Sequence, residues 1–165
     1  MTTKLEIPTA EGVFTAHYSQ HGLARLDFPA TQPAVGKPKK ETAALPAQIS
    51  RWHRLTVGAL NEALAGRAPR LLPPLDLSAG TEFQRRVWSA LRRIASGRTR
   101  SYAEVAAQIG NPRASRAVGG ACGANPIPVL VPCHRVLAAN HAVGGFSGGL
   151  GWKRKLLARE GIAVR

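Results

Sequence analysis

The sequence predicts two modules of different character: a small β-meander followed by one helix, then a mostly helical half that holds a helix-turn-helix candidate. Three observations carry this. Residues 4–28, KLEIPTAEGVFTAHYSQHGLARLDF, are short, partly alternating apolar runs broken by Gly12 and Gly22, the pattern of strands joined by tight turns. Thr81 with Gln84, and Ser101 with Glu104, fit capping boxes that open two helices. Gly110, Asn111 and Pro112 then form a tight break between two short helical stretches.

The meander is followed by residues 29–47, PATQPAVGKPKKETAALPA, whose prolines and lysine cluster read as an exposed loop. A helix is expected from about Pro46 to Ala65, with Ile49, Trp52, Leu55, Leu60 and Leu64 at roughly helical spacing. Residues 66–80, GRAPRLLPPLDLSAG, read as a connection, which divides the chain into 1–75 and 76–165. Behind Thr81, Phe83, Val87, Leu91 and Ile94 make one apolar helical face. Ser101 opens the next helix, which Gly110 ends, and Asn111 is placed to cap a third with Pro112 at its first position. Any antiparallel helix pair shares this outline.

The third helix, within RASRAVGGACGAN, is built almost wholly from small residues around Arg116. Each glycine weakens a helix by about 1 kcal/mol relative to alanine, so the run requires a reason. Close approach to a groove is one, and tight helix–helix packing is the other. Charge favours the first: 23 Lys and Arg stand against 9 Asp and Glu, a net +14 over 165 residues. Such an excess suits a polyanion, nucleic acid above all, although a basic surface that only aids solubility is the plainer alternative.

The N-terminus, MTTKLEIPTAEGVFTAHYSQ, has no basic start followed by an apolar stretch, so no signal peptide is expected and the location is read as cytoplasmic. No window approaches the apolar length of a membrane span. Cys122 and Cys133 are too few for a disulfide framework, and no metal-ligand spacing joins them to the five histidines, so no metal site is expected.

The remaining feature is PVLVPCHRV, residues 128–136, which sets Cys133 beside His134. A free thiol with a pKa near 8.5 is mostly protonated at neutral pH, so a nucleophilic cysteine needs a base or a positive field. Adjacency alone does not supply one, because neighbours in extended chain point to opposite faces. A buried thiol beside an unrelated histidine is the competing reading.

From about Thr81 to Gly161 the chain closely resembles the O6-alkylguanine-DNA alkyltransferases. The likeness is carried by SYAEVAAQIGNPRASRAVGGACGANP, NPIPVLVPCHRV and GGFSGGLGWKRKLLAREG. The first 75 residues match only loosely. The resemblance implies an α/β N-terminal domain with a small antiparallel sheet (ribonuclease H-like) and a mostly α C-terminal domain with a helix-turn-helix (winged-helix-like). It implies that Cys133 accepts the alkyl group, that His134 draws off its proton through a water, and that Glu160 orients the histidine. Asn125 would tie the recognition helix to the active-site turn, and Tyr102 would contact the flipped nucleotide and give a proton to the departing base. Arg116 would be the finger that fills the gap in the stack. DNA contacts are further expected at Ser101, Tyr102, Ala114, Ser115, Ala117, Gly119 and Arg135. The pocket would be walled by Val131 and Val136, with Phe146 and Ser147 in the loop that meets the guanine O6. Phe146 departs from the family's usual tyrosine there, which loses a hydroxyl but keeps a ring. Cys122 is expected to be inert.

The implied partner is double-stranded DNA, entered through the minor groove with an alkylated guanine turned out, and the protein is expected to be a monomer that needs no cofactor. The implied reaction is direct-reversal repair of O6-alkylguanine, and of O4-alkylthymine, with irreversible self-inactivation. The alternative is a non-enzymatic, alkyltransferase-like lesion binder, but those relatives lack the acceptor cysteine.

Overall fold

The computed structural model describes residues 2–31, 44–146 and 148–164. Most of the expected lysine-rich loop, and Ser147, lie outside the described residues. Three strands, β1 (Thr3–Thr9), β2 (Gly12–Ser19) and β3 (Gly22–Asp27), form an antiparallel sheet in sequence order. Alternation sets its buried face: Phe14, Ala16 and Tyr18 of β2 point into the core with Ile7, Leu23 and Leu26. Gly22 opens β3 at φ 149°, and a Cβ there would lie 2.3 Å from the Pro74 carbonyl oxygen, so only glycine fits this approach.

Helix α1 (Ala47–Leu64) covers the sheet with Ile49, Trp52, Thr56, Ala59, Leu60 and Leu64. The connection after it belongs to the sheet edge: Leu23 N donates to Pro74 O at 2.8 Å and Asp76 N to Leu23 O at 2.7 Å. The second half contains α2 (Glu82–Leu91), the two-residue strand β4 (Arg100–Ser101), α3 (Tyr102–Gln108) and α4 (Ser115–Gly123). A single turn of 3-10 helix at Cys133–Arg135, strand β5 (Val136–Leu137) and α5 (Leu150–Arg159) follow. No described helix is long and apolar enough to cross a membrane.

Thr81 forms the full capping box with Gln84. Ser101 makes only half of one: its hydroxyl accepts from Glu104 N at 3.0 Å, while the Glu104 carboxylate turns to Arg100 instead. The Asn111 cap is corrected. Helix α4 begins at Ser115 with Ala114 before it, because residues 111–114 close a turn in which Ala114 N donates to Asn111 O at 3.0 Å. Pro112 suits the second position of that turn as well as it suits a first helical turn, so the sequence did not separate the two.

One apolar core runs through both halves, from Ile7 in β1 to Leu156 in α5. Phe14 and Phe28 of the first half pack on Trp152 with ring centroids 5.0–5.5 Å apart, and Phe28 also meets Phe146 at 5.7 Å. Phe14 of the sheet and Phe28 just past it therefore brace α5 and the loop ahead of it.

Candidate active site

The parallel pairing of β4 with β5 (Arg100 with Val136, Ser101 with Leu137) places the first residue of α3, Tyr102, against the turn that carries Cys133. On the other side, Asn125, just past α4, fixes the same turn. Its amide nitrogen donates to Val131 O at 2.8 Å and its oxygen accepts from Ile127 N at 3.0 Å, inside the protein. Within the loop so closed, Val129 holds φ 74°. A β-branched residue in that region costs of order 1–3 kcal/mol, and the surrounding bonds have to hold it.

Cys133 is 3 % exposed and His134 is 1 % exposed. The His134 Nε2 lies 3.1 Å from Glu160 Oε1, and its Nδ1 is buried with no partner. A carboxylate can only accept here, so the histidine carries its proton on Nε2 and keeps the lone pair of Nδ1 free. That is the arrangement of a general base with an orienting acid. Burial pushes the Cys133 thiol up, against the opposing pull of the Asn125 hydrogen bond and the Lys153 charge. The resting thiol is therefore protonated, and the site needs its base.

Burial would also raise the Glu160 carboxyl, but hydrogen bonds from His134 and Arg135, with their charges, bring it down to about 2. Burial lowers His134 against the pull of Glu160, which keeps the imidazole neutral and able to accept a proton. Burial raises Tyr102, and negative charge on Cys122 or Cys133 would raise it further, so its phenol holds its proton until a stronger base arrives.

A cavity of about 430 Å³ opens above Cys133, lined by Tyr102, Gly119, Cys122, Gly123, Cys133, Gly145 and Phe146. Gly144, at φ 70°, backs Tyr102 so closely that a Cβ would sit 2.9 Å from its hydroxyl oxygen. Of the expected DNA contacts, Arg116 and Ala117 are exposed on α4, Ser115 and Gly119 are half-buried, and Ser101 caps α3. Ala114 is buried at the foot of α4.

Arg135 differs from its expected place. Its guanidinium turns inward to Glu160, at 2.7–3.1 Å, and to Ile94 O at 2.7 Å, so it is spent on the carboxylate and not on the helix surface. Val131 and Val136 are likewise absent from the described lining, since both are fully buried in the core behind the acceptor.

Sequence reasoning missed Lys153. Its ammonium is buried, donates to Val136 O at 2.7 Å and Gly145 O at 3.1 Å, and lies 5.9 Å from the Tyr102 ring centroid. Burial lowers its pKa, and the thiolate charges of Cys133 and Cys122 raise it again. The cation thus favours a thiolate at Cys133 and ties the Gly145 loop to β5. Lys153→Met, which keeps the stem and loses the charge, is expected to slow reaction at Cys133 by about 10- to 100-fold, less than the loss of a donor in direct contact with the developing charge. Thiol-alkylation rates across pH check this, because loss of the cation shifts the thiol's ionisation upward as well as slowing reaction.

Comparison with known proteins agrees with this geometry. Residues 82–162 match the family model for the DNA-binding domain of 6-O-methylguanine DNA methyltransferase. A methylated-DNA–protein-cysteine methyltransferase of Mycobacterium tuberculosis is 52 % identical over 104 residues, covering 63 % of this chain and 62 % of the relative. One of the same name from Salmonella typhimurium is 46 % identical over 111 residues, covering 65 % of each. The aligned segments thus span under two thirds of these relatives' own lengths. The crystal structure of Mycobacterium tuberculosis OGT in complex with DNA superposes at a TM-score of 0.74 with 39 % identity, covering 94 % of this chain and 90 % of that one. With Cys133 lining a cavity beside α4 and His134 paired to Glu160, the chain belongs to the O6-alkylguanine-DNA alkyltransferase family.

Proposed function

We propose that the chain repairs alkylated DNA by direct reversal, moving the alkyl group of O6-alkylguanine, and of O4-alkylthymine, irreversibly onto Cys133. The observation that carries this is Cys133 in a cavity lined by Tyr102 and α4, followed directly in the chain by the buried His134–Glu160 pair. A water passes the thiol proton to His134 Nδ1. The Cys133 sulfur attacks the sp³ carbon in line, a C–S bond forms as the C–O bond breaks, and Tyr102 supplies a proton to the departing base. The thioether has no easy hydrolytic exit, so each molecule acts once.

The lesion reaches this buried thiol only if the nucleotide leaves the stack, at a cost of a few kcal/mol. Exposed Arg116 and the small residues beside it support entry of α4 into the minor groove, where readout is largely degenerate and suits an enzyme that searches every sequence. Arg135 acts as a positioning residue for Glu160 and makes no DNA contact. The finer architecture we read as ribonuclease H-like before residue 75 and winged-helix-like after it, in a monomeric cytoplasmic protein.

The test is intact mass after incubation with a duplex carrying O6-methylguanine. Gain of one methyl group on Cys133 is expected, and lesion binding with no mass change would refute the proposal. Arg116→Ala should slow repair in duplex DNA far more than transfer from free alkylguanine. Equal loss on both substrates would remove Arg116 from base extrusion.

A further inference from the structure

The same cavity is lined by a second thiol. Cys122 sits on α4 opposite the acceptor turn, and both cysteines are free. Their placement is held from several sides. Trp88 Nε1 donates to Ala121 O at 2.8 Å, which pins that turn of α4 from α2. Asn125 N donates to Cys122 O at 3.2 Å, and the Asn125 side chain holds Val131, two residues before Cys133. One asparagine thus couples the backbone on both sides of the thiol pair. The Lys153 charge acts on both sulfurs.

We propose that Cys122 is a resolving thiol, which closes a reversible disulfide with Cys133 across the cavity when a two-electron oxidant such as hydrogen peroxide reaches the site. The Cys133 thiolate attacks one peroxide oxygen, the O–O bond breaks, and Cys133 sulfenic acid and hydroxide form. The Cys122 sulfur then attacks the sulfenic sulfur, an S–S bond forms, and the S–O bond breaks. The hydroxide takes the proton of one thiol and the departing oxygen that of the other. Two thiols have lost two electrons and peroxide has become two waters.

Charge orders these steps. Burial, and the negative charge of the Cys133 thiolate, hold the Cys122 thiol up at about 12, so it does not compete for an alkyl group. Once Cys133 is a sulfenic acid it carries no negative charge to oppose ionisation of Cys122, and the Lys153 cation favours the Cys122 thiolate. The expectation from sequence that Cys122 is inert thus applies to alkyl transfer and not to oxidation. A single-use protein gains from the bridge, because sulfinic acid at Cys133 is irreversible whereas a disulfide is reduced again. Formation requires the two Cβ atoms to approach to about 3.5–4.5 Å.

The proposal takes Cys133 as the reactive thiol of the function above, but its readout needs no DNA. The full chain and its Cys122→Ala variant are treated with hydrogen peroxide, quenched, and analysed by intact mass and by non-reducing peptide mapping. Methyl transfer is then measured before and after dithiothreitol, each protein relative to its own unoxidised value. Wild type should become two hydrogens lighter, give one linked Cys122–Cys133 peptide pair, lose transfer and recover it fully with the reductant. The variant should add two or three oxygens at Cys133 and recover nothing. Wild type that adds oxygens at Cys133 without a bridge, or that recovers no more than the variant, would overturn the proposal. Should the variant fail to fold, the wild-type peptide map decides alone. A bridged protein that never accepted a methyl group would support this inference and count against the repair function instead.

Discussion

Glu160→Gln is expected to slow alkyl transfer by about 100-fold or more, the usual scale of a lost general base, and to make the protein measurably less stable at neutral pH. Both effects follow from one group. In the native site the carboxylate can only accept, so it fixes the His134 proton on Nε2 and leaves Nδ1 free. A glutamine amide can donate to Nε2, which moves the imidazole proton to Nδ1 and removes the lone pair that the reaction needs. The folded protein also loses the anion that neutralises Arg135, whose side chain is 11 % exposed.

The stability effect has a definite pH window. The Glu160 carboxyl lies at about 2 in the folded protein against an ordinary 4.5, a displacement worth about 3 kcal/mol. A depressed acid contributes its stability above the unfolded value and loses it as pH falls through the folded one. The difference between wild type and Glu160→Gln should therefore be full above about pH 5 and shrink between 4.5 and 2. His134, also depressed, adds acid sensitivity of the same sign in wild type, beginning below its ordinary 6.5. Urea unfolding at pH 7 and pH 3 checks this. A gap that is constant between those two values would show that the carboxylate is not held by its partners.

Cys133→Ser is expected to abolish transfer outright while lesion binding persists. A hydroxyl is a far weaker acid than a thiol, and His134 is neutral and buried, so the relay built for a thiol does not ionise it. The substitution is close in shape and sits in the turn held by Asn125, so the cavity and the face of α4 are preserved. The variant should behave as a binder: a gel shift on a lesion duplex is retained, and no methyl group is gained. Transfer that persists in this variant would mean a second acceptor, with Cys122 the candidate to map first.

Much of this was legible in the chain, and the exceptions have physical reasons. Period-two alternation and glycines at the reversals revealed the sheet, and Thr81 with Gln84 revealed the start of α2. Pro112 did not reveal the start of α4, since proline serves a turn and a helix start equally well. The pairing of Glu160 with His134 was read from resemblance. Spacing does not show that residue 160 returns to residue 134.

Arg135 was expected among the DNA contacts, and its guanidinium turns to the Glu160 carboxylate. In a 3-10 turn, successive side chains splay about a third of a turn apart, and Arg135 faces the carboxylate. Lys153 was overlooked although a signal existed. Lys153, Leu156 and Leu157 stand at i, i+3 and i+4 on one buried face of α5, with Glu160 at the cap just past its end. A lysine on an apolar stripe is a buried charge that demands partners. The aromatic contacts of Phe14 and Phe28 with Trp152 and Phe146 join residues too distant in sequence for any local pattern to show.

The central claim is that Cys133 takes an alkyl group once and keeps it. The direct measurement is label transfer from a duplex carrying isotopically labelled O6-methylguanine, in excess over active protein, followed to its plateau. The account predicts one label per protein molecule, all of it on the peptide that contains Cys133, with no further repair after the plateau. Continued repair beyond one equivalent, or label on any other residue, would contradict it.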